Sequence, residues 1–173
     1  MKPDDSDSPP EPVRRRSLPE QNWSSAEQRH ASNPDLSQQL GLVHRYSEPV
    51  LLEFDRPLAP GDETALTAML PEPPNGDSED QAFFYRLTSG EIVGFFNRCT
   101  HVTIPLDYDD GRFLDRDGYI MCRVHGARFE LATGLRCAGP AATNLTRIDC
   151  EDVAPAAPEN PLRLRVHGWH KVR

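Results

Sequence analysis

The sequence predicts an all-β domain of about 125 residues behind a disordered N-terminal tail. Three observations carry this reading. From Pro49 onward, short runs rich in Val, Ile, Leu, Phe and Tyr recur, bounded by Gly, Asp, Asn or Pro. The first 47 residues hold only 11 hydrophobic ones, against six prolines, eight serines, six basic and seven acidic residues. In the globular part a single stretch, Asp62–Leu70 in GDETALTAML, has a helical pattern.

Composition agrees. With 173 residues the chain holds one ordinary domain, and 37% hydrophobic content with 17 prolines implies one compact body plus non-globular sequence. A net charge of −8 argues against general binding to nucleic acid or anionic membrane. No apolar run approaches the ~20 residues of a membrane span. Met1–Ser17 is acidic, then proline-rich, then basic, without the apolar core of a signal peptide. Arg14–Arg16 likewise lack the apolar stretch of a twin-arginine signal, so the expected compartment is the cytoplasm. Four cysteines there read as metal ligands or buried thiols rather than disulfides.

In chain order, residues 1–47 are too polar to offset the entropy of ordering and form the disordered tail. Asp35–Leu42 has the pattern for a helical turn or two, too short to stand alone. Arg14–Pro19 reads as a solvated charge run, with a phosphorylation site or docking peptide as the alternative. The domain then spans 48–173. Val50–Phe54 predicts a first strand, and Leu70–Gln81 a loop. Ala82–Leu87 and Glu91–Phe96 predict a hairpin turning at Thr88–Gly90. Strands are also expected at Arg112–Asp115, Tyr119–Cys122 and Ala127–Glu130. Leu162, Leu164 and Val166 alternate with Arg163, Arg165 and His167, and Gly168 allows the chain to turn back as Trp169–Val172.

The residues that carry chemistry are Cys99-Thr100-His101 and Cys122-Arg123-Val124-His125, with 20 residues between His101 and Cys122. Each pair falls where a strand meets a loop, so two adjacent loops can grip one centre from two sides. One zinc ion would need all four donors to converge on it. A [2Fe–2S] cluster with two Cys on one iron and two His on the other suits two loops that each offer one Cys and one His.

Here the sequence resembles the Rieske [2Fe–2S] family. The resemblance lies in C-x-H followed by C-x-x-H-G-[AS]-x-F, present as Cys99-Thr-His101 and Cys122-Arg-Val-His125-Gly126-Ala127-Arg-Phe129, with Gly134 and a proline loop at Gly139-Pro140. It implies an antiparallel β sandwich with a small cluster-binding subdomain, whose loops lie within 97–140. It also implies one [2Fe–2S] cluster per chain, held by Cys99, His101, Cys122 and His125. The interval between the pairs is longer than the family's common form, and the extra residues fall at Leu106–Gly118. Thr103 stands where many relatives have glycine. Thr103-Ile104 and Arg123-Val124 replace the disulfide cysteines of respiratory members. Ala127 and Phe129 replace a Ser and a Tyr whose hydroxyls raise the potential in other members, so a potential low in the Rieske range is implied. Cys137 and Cys150 read as buried small hydrophobes. His167 and His170 read as surface histidines, and His30 and His44 fall in the tail.

Rieske oxygenases add a second, non-haem iron domain, for which the 23 residues after Cys150 leave no room. A Gly-rich nucleotide fingerprint is also missing. The resemblance therefore implies a soluble Rieske-type ferredoxin with no catalytic activity of its own, passing electrons from a reductase to an acceptor such as an oxygenase. Its acidic charge would favour a basic face on the partner. The alternatives are the small Rieske subunit of a larger reductase, or a regulatory or structural module holding the cluster or zinc.

Overall fold

Runs of alternating and continuous apolar residues become strands throughout the domain. A computed structural model describes residues 40–108, 110–153 and 160–172. Their strands are β1 (Leu40–Glu53), β2 (Leu66–Pro71), β3 (Glu79–Arg86), β4 (Ile92–Phe96), β5 (Ile120–Met121), β6 (Arg128–Phe129), β7 (Arg136–Ala138), β8 (Thr146–Asp152) and β9 (Arg163–Val172). Six of them form an antiparallel sheet in the order β1-β9-β8-β4-β3-β2, and β5-β6-β7 form a smaller one. No helix among the described residues is long and apolar enough to cross a membrane.

The run Ala82-Phe83-Phe84-Tyr85 is continuously apolar because β3 is buried on both faces. Ala82 and Phe84 point into a core with Leu66, Leu70, Phe96, Ile148, Leu164, Val166 and Trp169, so the large sheet curls round its own side chains. Phe83 and Tyr85 point the other way, into a second core with Phe95, Leu106, Phe113, Ile120, Phe129, Cys99 and Cys122. Phe83 and Phe113 stack with ring centroids 4.0 Å apart. Each fully buried aromatic contributes about 1.5–3 kcal/mol. This second core ties the small sheet and its loops to the β3–β4 hairpin.

Several expectations are corrected. Asp62–Leu70 is not helical: Leu66–Pro71 is a strand paired with β3, Leu66 opposite Phe84. Leu66 and Leu70, four apart, fit either period, but Thr67 and Met69 are exposed between them, and the aromatic row of β3 needs the cover. The Asp62 carboxylate accepts the Thr64 N–H, making a turn rather than a helix cap. The boundary at 48 falls inside β1, so residues 40–47 belong to the sheet. Residues 1–39, with Arg14–Pro19 and His30, lie outside the described residues, as does most of Asp35–Leu42.

The C-terminal segment does not turn back. It is one continuous strand between β1 and β8, and Gly168 serves a close approach instead: a Cβ there would stand 2.1 Å from the His44 carbonyl oxygen. Arg112–Asp115 makes only a single bridge, Leu114 to Ile120. The unexpected β8 is masked in sequence by its charges, which pair across the sheet: Arg147 with Glu91 at 2.6 Å, Glu151 with Arg165 at 2.7 Å, and Asp152 with Arg86 at 2.6 Å.

Candidate metal centre

Two tight loops leave the second core side by side. After β4, the Cys99 N–H donates to the Ile104 carbonyl at 2.9 Å, closing a loop that carries His101. After β5, the Cys122 N–H donates to the Ala127 carbonyl at 2.8 Å and the Gly126 N–H returns to the Cys122 carbonyl at 2.9 Å, closing the loop that carries His125. Gly126 has φ +71°, which makes that reversal possible without side-chain strain. The Arg123 N–H donates to the Leu106 carbonyl at 2.8 Å, binding the second loop to the inserted segment.

These loops sort their donors by depth. Cys99 and Cys122 are 4% and 0% exposed, whereas His101 and His125 are both exposed. The two rings meet edge to face with centroids 5.0 Å apart. Burial pushes the Cys99 thiol up and the adjoining Cys122 thiol adds to this, while the N–H groups of His101 and Val102 act the other way. Two thiols side by side resist becoming two thiolates until positive charge joins them. Among the described residues, no three Cys, His, Asp or Glu side chains are grouped to hold a metal ion. The four expected donors are thus divided into a buried sulfur pair, Cys99 with Cys122, and an exposed ring pair, His101 with His125. That donor set fits a binuclear iron–sulfur group.

A third segment closes over the loops. A Cβ on Gly139 would lie 2.6 Å from the Gly126 carbonyl oxygen and 2.7 Å from Ala127 Cα, so the Gly139-Pro140 loop lies directly on the second loop. The Thr100 hydroxyl donates to the Thr143 carbonyl at 2.7 Å, fastening the first loop to the same segment.

Residues that the sequence did not single out hold this frame. Buried Asn97 donates through Nδ2 to Gln81 at 2.6 Å and to Asp107 at 2.9 Å, and accepts the Leu106 N–H at 2.7 Å. Asp107, also buried, accepts the Gly111 N–H at 3.1 Å. Asp115 accepts the N–H groups of Asp117 and Tyr119 and pairs with Arg128 at 2.8 Å. Of these three only Asp115 carries a sequence signal, the turn Asp115-Arg116-Asp117. The inserted stretch Leu106–Gly118 turns at Gly111 and Gly118, both with positive φ. Among the described non-glycine residues only Glu72 and Tyr108 have positive φ, so the Thr103 side chain sits without that strain.

The remaining candidates lie elsewhere. Cys137 is exposed on β7, correcting the expectation of a buried thiol: Arg136, Cys137 and Ala138 all face outward on an edge strand. Cys150 is half-buried, its thiol pushed up to about 12 by burial. His167 and His170 lie three apart on β9, on either side of the register shift at Gly168, and His167 lies 3.3 Å from Glu151. His44 is not a tail residue: it stacks on Trp169 with centroids 5.1 Å apart and lies 2.8 Å from Glu72.

Comparison with known proteins agrees with the motif. No curated protein matches the chain. Crystal structures of dicamba monooxygenase, apo and with non-heme iron and dicamba, align at 16% and 17% identity with TM-scores of 0.46 and 0.47. Each alignment covers 72% of this chain and 35% of that one, so the chain spans about a third of their length. A chain in the complex of reduced oxygenase and oxidized ferredoxin in carbazole 1,9a-dioxygenase aligns at 20% identity, TM-score 0.45, over 72% of this chain and 98% of its own. Residues 72–150, which contain both Cys/His loops and the Gly139-Pro140 segment, match the Rieske [2Fe–2S] domain family.

Proposed function

We propose that the protein is a soluble, cytoplasmic one-electron carrier whose [2Fe–2S] cluster is held by the thiolates of Cys99 and Cys122 and the imidazoles of His101 and His125. The observation that carries the reading is the division of donors into a buried sulfur pair and an exposed imidazole pair on two adjoining loops. Bound there, the group supplies reversible one-electron chemistry and gains one negative charge on reduction.

The chain's own residues do the rest. Phe129, Leu106 and Ala127 exclude water from the thiols. The N–H groups of His101 and Val102 offset negative charge at the Cys99 sulfur. His101 and His125 reach the surface between exposed Val102 and Val124, where a redox partner, a reductase or an acceptor such as an oxygenase, makes contact.

Purified protein is expected to contain two irons and two acid-labile sulfides per chain. The reduced form should give a rhombic electron paramagnetic resonance signal whose average g lies below that of all-cysteine clusters. Stoichiometric zinc in protein made with ample iron and assembly machinery would overturn the assignment. Loss of the fold on reduction would favour a structural module instead.

A further inference from the structure

Beside His101 a cleft runs from the Thr100–Thr103 loop to the end of β9, and its lining carries three cations: Arg98, Arg136 and Lys171. Arg98 is already committed, 2.6 Å from Asp80 and 3.7 Å from Asp77. Arg136 and Lys171 are exposed, and neither forms an ion pair with any described residue. They come from different sheets, and Asn144 joins their strands. Its Oδ1 accepts the Arg136 N–H at 2.8 Å, and its Nδ2 donates to the Val172 carbonyl at 3.3 Å. The strands that carry the two cations are therefore joined, on the side of the cleft that also holds His101.

We infer that this cleft is a docking site for a carboxylate-rich patch on the partner's surface. The inference rests on the carrier reading above and names the partner's chemistry. A chain of net charge −8 is expected to seek a basic partner; the surface next to His101 has the opposite sign. Salt screens the distant acidic residues within about 8–10 Å, so at docking distance the local pair decides. The Arg136 guanidinium suits a carboxylate because its planar fork offers two parallel N–H donors. The apolar Val102 and the exposed His101 ring complete a contact that is charged on one side and dry on the other.

The test uses the full, cluster-loaded chain and the variants Arg136→Glu/Lys171→Glu and Arg136→Gln/Lys171→Gln. The second pair removes charge without adding repulsion and guards against misfolding. Hexaglutamate peptide is titrated by calorimetry at low salt, with tripolyphosphate as the phosphate arm. In parallel, dithionite-reduced protein is oxidised by hexacyanoferrate(III), each cluster losing one electron to one ferric anion. The native chain should bind hexaglutamate, and the Glu pair should weaken this by about tenfold or more, with the Gln pair between. Oxidation of the native chain should slow as salt rises. The Glu pair should react at least about threefold more slowly and speed up with salt. Unchanged binding and rates in both variants would overturn the site, as would tripolyphosphate binding more tightly than hexaglutamate. The resonance spectrum of the same samples reports separately on the carrier reading, and the calorimetry reads the cleft whether or not electrons flow.

Discussion

Gly139 lies against the backbone of Ala127 so closely that a Cβ at 139 would stand 2.7 Å from the Ala127 Cα. Its φ of +80° compounds the restriction. Gly139→Ala is therefore expected to lift the Gly139-Pro140 segment off the second loop. The cost should be about 1–3 kcal/mol, read by chemical denaturation, with faster loss of iron to a chelator.

Cys99→Ser and Cys122→Ser should each abolish iron incorporation and destabilise the second core, since metal-binding energy is folding energy in a site made of loops. Cys150→Ser should keep the iron at a cost of about 1–3 kcal/mol, because its half-buried thiol packs on the first core. Exposed Cys137→Ser should be neutral within ~0.5 kcal/mol. Iron analysis and melting curves of the four variants check the ranking.

Ala127→Ser and Phe129→Tyr should each raise the midpoint potential. Both residues are fully buried in the same core as Cys99 and Cys122. A hydroxyl aimed at a sulfur favours the more negative, reduced state. A differential of ~1 kcal/mol corresponds to about 40 mV for one electron. Voltammetry of the single and double variants measures the shift.

Removal of residues 1–39 should leave the melting temperature unchanged, because that stretch is too polar to join a core. Removal of 1–47 should lower it, since it deletes the first half of β1 together with the His44 stack on Trp169 and the Tyr46 hydroxyl bond to the Pro71 carbonyl at 2.8 Å. A calorimetric scan of both truncations distinguishes them.

His170 supplies a pH prediction. Burial, then the nearby Arg147 and Arg45, hold its pKa below the ordinary histidine value of 6.5. The folded state thus favours the neutral ring. Its contribution is present above that value and is lost as pH falls below it, where the unfolded chain takes up a proton first. His170→Gln should lose less stability than the native chain between pH 7.5 and 5.5 in urea titrations.

The candidate donors Cys99, His101, Cys122 and His125 stand out in the sequence, because donor chemistry demands particular side chains at particular spacings. The β3–β4 hairpin was equally plain, since its apolar runs flank a Gly-containing turn. Leu66–Pro71 was not, because Leu66 and Leu70 satisfy both periods and only the partner strand decides. Gly168 reads as a turn in sequence, yet it is there for the passing backbone of β1. The supports of the site, Asn97 and Asp107, carry no local pattern. Their role exists only once the inserted segment folds back beside β4.

The two-faced burial of β3 bears on how the molecule opens. Phe83 and Tyr85 belong to the core that carries the thiols, while Ala82 and Phe84, one residue away, belong to the core of the curled sheet. Neither core can melt without uncovering the other through this shared strand. Amide protons of β3 should therefore exchange with deuterium only through global opening, and at one common free energy with those of β4. Occupation of the thiol pair should slow exchange at Ala82 and Phe84 as strongly as at Phe83, carrying protection across the thickness of the sheet.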